Sequence, residues 1–192
     1  FYNDTFEGLP VMVDKGPFIT EYLCRLKRVI DATLAQYPRV LAFRVDLRLP
    51  SRIALPEHAY TNEVISRFIE SFKAKIEHNR GKAREHNQYA HDSKVRYVWA
   101  REIGEGGRPH YHLLILLNRD AFYSIGRLQS DVPNMISRME EAWASALGLS
   151  LFQVNGLVHI PENESYRVNQ RVPSDEVNEL LPLFYRASYL CK

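Results

Sequence analysis

An almost unbroken apolar segment in the middle of the chain, His110 to Leu117, constrains the fold most. It is far shorter than the ~20 residues that a membrane span needs. It also lacks the alternation of a half-exposed strand, which predicts a strand covered on both faces. The turn sequence Gly104-Glu-Gly-Gly-Arg-Pro109 separates this segment from Val95 to Ile103, which is rich in β-branched and aromatic residues. We therefore predict an antiparallel hairpin at the centre of a sheet.

Hydrophobic spacing along the rest of the chain supplies the other elements. It predicts helices at 18–36, after Thr61 or Asn62, after a cap at Asp131, and at 183–191, with further strands at 40–49 and 151–160. Residues 79–93 are polar and predict a mobile connection, and 163–171 predict an edge hairpin. The central order is βαββαβ, which is the ferredoxin-like order. We predict an α+β fold: an antiparallel sheet of four or five strands with helices mainly on one face. A helical segment, 1–39, is expected to pack on a core of 40–192.

Charge is unevenly distributed, although the net value is only +2. Residues 67–108 hold ten Lys and Arg against six Asp and Glu. Such an excess favours binding to a phosphate backbone, and a solvated helix face is the alternative interpretation. The candidate phosphate contacts are Arg44, Arg48, Lys73, Arg80, Lys82, Arg84 and Arg108. Two cysteines are too few for a zinc site or a disulfide framework, which favours a reducing cytosol.

His110-Tyr111-His112 is the first candidate site. Residues i and i+2 of a strand share a face, so both imidazoles can reach one ion. Glu102 lies across the predicted hairpin: opposite His110 if paired residue numbers sum to 212, and opposite His112 if they sum to 214. Two histidines and a carboxylate suit Mg²⁺ or Mn²⁺, and could also accept Zn²⁺. The alternative is a pair of hydrogen-bonded structural histidines.

Tyr185, Tyr189 and Lys192 form the second candidate site, because their spacing places them on one stripe of the last predicted helix. A tyrosine hydroxyl near a metal-bound phosphate is a competent nucleophile, and a nearby lysine can hold phosphate charge. The alternative is an aromatic core stripe that ends in a lysine.

The two sites together resemble the motifs of the HUH endonucleases. His110-Tyr111-His112 is similar to their second motif, Tyr185, Tyr189 and Lys192 to the two-tyrosine form of their third, and Glu102 to their acidic ligand. Within this superfamily, Arg108 to Ile115 and Arg186 to Lys192 look closest to the inovirus-type rolling-circle replication initiators of phages and prophages. Residues 40–50 resemble the first motif only loosely.

The resemblance implies a specific chemistry. An Mg²⁺ or Mn²⁺ ion on His110, His112 and Glu102 would polarise the scissile phosphate, and Tyr189 would attack it to form a 5′-phosphotyrosine. Tyr185 would serve a second transfer. It implies single-stranded or hairpin origin DNA as partner, action in the cytoplasm of a bacterial host, and no membrane. No nucleotide-binding glycine loop is present, so a separate helicase is expected.

Two alternatives remain open at this point. One is a non-catalytic, ferredoxin-like module that binds single-stranded nucleic acid. The other is an enzyme of related type: a relaxase- or transposase-like HUH protein, or a metal-dependent phosphodiesterase that uses water.

Overall fold

The computed structural model describes residues 1–104, 106–126, 133–162, 165–172 and 178–192. A small hairpin of β1 (Thr5–Phe6) and β2 (Leu9–Pro10) opens the chain. The other elements, in chain order, are α1 (Thr20–Gln36), β3 (Arg39–Leu47), α2 (Glu63–His86), β4 (Arg96–Ile103), β5 (Pro109–Asn118), α3 (Met135–Leu147), β6 (Val158–His159), β7 (Ser165–Asn169) and α4 (Leu180–Ala187). Short 3₁₀ turns occupy Val13–Lys15, Glu57–Tyr60 and Ser188–Cys191.

One five-stranded antiparallel sheet organises the molecule. β5 lies between β4 and β3, and both β6 and β7 pair with the far side of β3. The predicted hairpin is therefore confirmed, as is the α+β class with an antiparallel sheet of this size. β5 is central and apolar because strands on both sides satisfy its backbone groups while its side chains contact packed layers on both faces.

The first face of the sheet carries the larger core. Odd-numbered side chains of β3 and β5, such as Phe43, Leu113 and Ile115, pack against α2 and α3. Trp143 of α3 is fully buried there, edge-on to Phe68 and Tyr111, and its indole Nε1 donates to the Arg48 carbonyl.

The second face is covered by the two ends of the chain, so the prediction of helices mainly on one face is wrong. Val40, Ala42, Leu114 and Leu116 pack with the N-terminal segment, α1 and α4. The ring of Phe6 stacks on Phe184 at 6.4 Å. The even-numbered side chains are apolar over this part of the face, and burying them requires a third layer.

The predicted mobile connection at 79–93 is wrong in its first half, because α2 continues to His86. Lys82 pairs with Glu85 along the helix, and His86 Nδ1 lies 2.8 Å from the Lys82 carbonyl. Such local pairs favour a helix without requiring any apolar residue.

Three further predicted boundaries need correction. Residues 151–157 form turns, with Gly156 at φ +76° and Phe152 exposed, so only Val158–His159 remain of the predicted strand. Helix α3 starts after Asn134, which forms a reciprocal capping box with Ser137; the predicted cap, Asp131, lies outside the described residues. In place of the predicted edge hairpin, β7 pairs with β3; parts of 163–171 lie outside the described residues.

Within the described ranges, no helix is both long and apolar enough to cross a membrane. Cys24 and Cys191 are both free thiols. Burial raises the pKa of Cys191 to about 12, so this thiol remains protonated and unreactive.

Candidate functional site

The second face of the sheet changes from apolar to polar along its length. Towards the end of β3 the even positions become Arg44 and Asp46, and the neighbouring positions of β5 and β4 are His112 and Glu102. The chain terminus, from Ser188 to Lys192, lies beside these groups. Alternation along three adjacent strands therefore brings polar side chains together at one place.

His112 links two carboxylates across the three strands. Its Nδ1 lies 2.6 Å from Oδ1 of Asp46, and its Nε2 lies 3.0 Å from Oε2 of Glu102. The hydrogen bond to Asp46 raises the pKa of His112 above its ordinary value of 6.5, and the Asp46 charge and Glu102 add to it against burial. Burial alone would raise the pKa of Asp46, but the hydrogen bond and charge of His112, with Arg44, lower it overall. Asp46 therefore remains an anion that orients the imidazole.

His110 lies directly opposite Glu102, because the β4–β5 register pairs residues whose numbers sum to 212. Its half-buried ring lies close to Gly104: a Cβ at that position would come within 3.0 Å of the His110 Cε1 atom. Gly104 thus leaves room for the imidazole. Tyr111 faces the opposite side, where it is fully buried and its hydroxyl donates to the Thr61 carbonyl.

Tyr189 brings a phenol to the same place. Its ring stands edge-on to His112, with centroids 5.9 Å apart. Lys192 Nζ lies 3.6 Å above the Tyr189 ring centroid, and the buried Arg44 guanidinium lies 5.4 Å from it. Two cations against one aromatic ring hold it by cation–π attraction and provide positive charge for an anion near its hydroxyl.

The predicted single stripe of Tyr185, Tyr189 and Lys192 is wrong in detail. α4 ends at Ala187, and the chain tightens into a 3₁₀ turn in which Ser188 Oγ donates to the Tyr185 carbonyl. The tighter turn changes the angular spacing of side chains. Tyr189 is half-buried against His112, whereas Tyr185 is exposed one turn earlier.

A divalent ion fits part of this donor set. Among the described residues, no three His, Cys, Asp or Glu side chains form a group that could hold a metal. The His112 Nε2 to Glu102 Oε2 distance is 3.0 Å. That is the spacing of neighbouring ligands around an octahedral ion with bonds of about 2.1 Å. Asp46 on Nδ1 would present Nε2 outward as a ligand, as carboxylates commonly do for metal-bound histidines. His110, opposite Glu102, is the candidate third ligand.

Most of the predicted phosphate contacts are engaged elsewhere. Arg84 pairs with Asp92, Lys82 with Glu85, and Lys73 and Arg80 lie over the rings of Tyr97 and Phe122. Arg108 donates to the carbonyls of Pro50 and Ser51. Arg48 is exposed after the end of β3. Arg44 contacts Tyr189, but it is buried and also pairs with Asp46, with Nη2 3.3 Å from Oδ1.

Two residues of the site, Asp46 and His159, were not among the candidates predicted from the sequence. Asp46 lies on the predicted strand at 40–49, where no motif singles it out, and its role depends on its pairing opposite His112. His159, whose Nδ1 lies 3.8 Å from Oδ2 of Asp46, arrives on the two-residue strand β6. So short a strand carries no periodic signal, and only the fold could have located it.

Comparison with known proteins places the chain among bacterial relatives. It is 33% identical to the Escherichia coli K12 protein YagK over 182 residues, which cover 92% of this chain and 86% of YagK. It is 29% identical to YfjJ of the same strain over 184 residues, covering 92% of this chain and 88% of YfjJ. No solved structure matches. The family model of the YagK/YfjJ C-terminal domain matches residues 1–192, and the chain therefore belongs to that family.

Proposed function

We propose that this protein nicks and rejoins single-stranded DNA through a phosphotyrosine intermediate, and that it starts rolling-circle replication of a phage, prophage or plasmid. The observation that carries the proposal is the position of Tyr189. Its ring contacts His112 and lies beneath Lys192, although these residues come from a central strand and the chain terminus. A core tyrosine would need neither an imidazole–carboxylate pair nor two cations around it.

In the proposed step the Tyr189 hydroxyl oxygen attacks the phosphorus. The new bond joins the phenolic oxygen to the 5′-phosphate, and the 3′-oxygen leaves with the bonding electrons. The phenolic proton is released to solvent, and the departing 3′-oxygen takes up a proton, so charge and atoms balance. Lys192 and Arg44 stabilise the negative charge that collects on the phosphoryl oxygens.

A divalent cation, Mg²⁺ or Mn²⁺, would polarise the scissile phosphate when bound. His112 and Glu102 would hold it, with His110 as third ligand. Asp46 keeps the His112 ring oriented and fixes which nitrogen faces the site. Tyr185, exposed on α4, would attack in the second transfer that closes the product.

The sheet topology supports a ferredoxin-like fold of the HUH type. The strand order β4–β5–β3 with β6 and β7 beyond, all antiparallel, is the order expected of a βαββαβ unit. Both of its helices, α2 and α3, contribute to the core on one face. We place the reaction in the cytoplasm of a bacterial host, with a separate helicase as partner.

A second candidate is a module that binds single-stranded nucleic acid without cutting it. It is favoured by His112, because both ring nitrogens are already engaged by carboxylates in a self-sufficient ion pair. Under this alternative Asp46, His112 and Glu102 only stabilise the fold.

One gel separates the candidates. The protein is incubated with a single-stranded oligonucleotide labelled at its 3′ end and with Mn²⁺, and is then run under denaturing conditions. The proposal predicts label on the protein, lost in Tyr189→Phe and after chelation. Cleaved free DNA would indicate attack by water, and uncut DNA with retained binding would indicate the non-catalytic module. Tyr166→Phe, a tyrosine on β7, is the matched control and should keep the label.

A further inference from the structure

A groove next to the candidate site is lined by cations, and two of them, Arg25 and Arg28, have no part in the proposed cleavage step. It lies between α1 and β4, and the C-terminal residues 190–192 close one end of it. Its floor is apolar, formed by groups such as Val29, Val98 and Leu190. The volume, about 660 Å³, is of the size that holds a small ligand or a short stretch of an extended polymer.

The charges of this groove have one sign. Arg25 and Arg28 of α1 enter it as exposed side chains, and Lys192 stands at its end. No Asp or Glu side chain is among the described residues of the lining, and neither Arg25 nor Arg28 pairs with any described acid. On the same helix Lys27, which does not line the groove, pairs with both Glu7 and Asp31. The groove therefore favours an anion.

The groove also has the form that an extended polymer needs. It follows five consecutive residues of β4, Tyr97 to Arg101, or about 13 Å at ~3.3 Å per residue. Tyr22, which is 43% exposed, provides a ring at its rim. Cations along a track with an aromatic ring beside them are the usual means of holding single-stranded nucleic acid.

The groove is continuous with the candidate site. Lys192 lines the groove and also lies over the Tyr189 ring. Ala100, on the groove side of β4, is the register partner of His112. A strand lying in the groove would therefore reach Lys192, which contacts the Tyr189 ring.

We propose that this groove between α1 and β4 binds the phosphate backbone of the single-stranded substrate next to the scissile phosphate. The identity of the substrate rests on the proposed function, whereas the test measures DNA binding and does not require cleavage. It reassigns backbone contact from the basic segment at 67–108 to Arg25, Arg28 and Lys192. Arg101 is excluded from this set because its guanidinium donates to the Tyr60 carbonyl.

The test measures binding without cleavage, in chelator. Fluorescence anisotropy follows a labelled mixed-sequence single strand of about 16 nucleotides, the upper end of single-strand site sizes, over a range of salt concentrations. For Arg25→Ala/Arg28→Ala, the magnitude of the log–log salt slope should fall by about 1.4, at ~0.7 per lost phosphate contact. Tyr22→Ala should weaken binding by about tenfold through lost stacking.

Lys27→Ala/Arg67→Ala is the matched control, because it removes the same charge from ion-paired sites outside the groove. It should keep the wild-type slope. Circular dichroism melts establish that every variant is folded.

The proposal that the groove binds the backbone is refuted if Arg25→Ala/Arg28→Ala keeps the wild-type salt slope, or if the control variant loses as much slope. The covalent adduct is scored separately on the same proteins. If the wild type forms no adduct but the salt slope falls in the groove variant, the groove still binds single-stranded DNA and only the nicking proposal fails. If the adduct forms and the slope is unchanged, nicking stands and the strand lies elsewhere.

Discussion

The two faces of the sheet differ in how they use the same strands. On the first face, odd positions are apolar from Leu41 to Leu47 and the core continues without interruption beneath α2 and α3. On the second face, even positions are apolar only under α1 and α4 and then become Arg44 and Asp46. The first face is built for stability, whereas the polar end of the second holds groups that packing alone does not require. Alternation in a strand allows both properties within one element.

The largest effect is expected from damage to the first face. Trp143→Ala removes a fully buried indole that contacts Phe68 and Tyr111 and donates to the Arg48 carbonyl. We expect it to lower the free energy of unfolding by about 3–5 kcal/mol. Urea unfolding followed by circular dichroism measures this loss. A loss below about 1 kcal/mol would contradict the claim that the first face supplies most of the stabilising core.

His110→Ala tests whether the polar end of the second face serves the reaction rather than the stability of the fold. We expect the metal-dependent adduct to disappear, because one of three candidate ligands is removed. The unfolding free energy in chelator should change by less than about 1 kcal/mol, as is common outside a core. Denaturing gels and urea melts on the same preparation give both values. An undiminished adduct would place the metal on other residues.

Tyr185→Phe should have a selective effect. Since Tyr185 is exposed and the ring on His112 is that of Tyr189, the first nick should proceed at the wild-type rate. Joining of the second strand should fail for lack of a fresh nucleophile. A substrate with two cleavage sites, labelled at both ends, reports both steps. Loss of the first nick in Tyr185→Phe, but not in Tyr189→Phe, would reverse the two roles.

The smallest effect is a pH dependence of stability in chelator. Because the pKa of His112 is raised in the folded state, its protonated ring adds to the free energy of unfolding in full below pH 6.5. This added stability is lost as pH rises through the folded-state pKa. The lowered pKa of Asp46 means that its contribution is present above pH 3.8 and is lost in acid. Thermal melts should show the difference between wild type and His112→Gln shrinking as pH rises above 6.5. A difference that grows with pH would show that His112 is not held as a cation by Asp46.

Sequence patterns located the hairpin and central strand well, because the apolar run of β5 admits few other structures. They could not show that His112 would meet Asp46, since that contact depends on the β3–β5 register. The third layer was missed for a similar reason: the N-terminal segment packs on Phe184 near the opposite end of the chain. Lys82 and Arg84 of α2 pair with nearby acids, whereas Arg25 and Arg28 of α1 form no ion pair with a described acid. That either set contacts a phosphate backbone stays a prediction.

The candidate site, too, could be predicted from the sequence only in part. The sequence could place three candidate ligands, His110, His112 and Glu102, on one face of the sheet. That placement requires only that the numbers of paired residues in the two strands add up to an even number. Tyr189 was already the predicted nucleophile, but the 3₁₀ turn at Ser188–Cys191, which gives it a different environment from Tyr185, is not part of an ideal helical spacing.

The central claim is that Tyr189 is the nucleophile, and peptide mapping tests it most directly. The protein is treated with a single-stranded oligonucleotide and Mn²⁺, digested with nuclease and protease, and analysed by tandem mass spectrometry. Our account predicts a nucleotide 5′-phosphate on Tyr189 after a first nick. A nucleotide only on Tyr185, or cleaved DNA with no modified tyrosine, would contradict it.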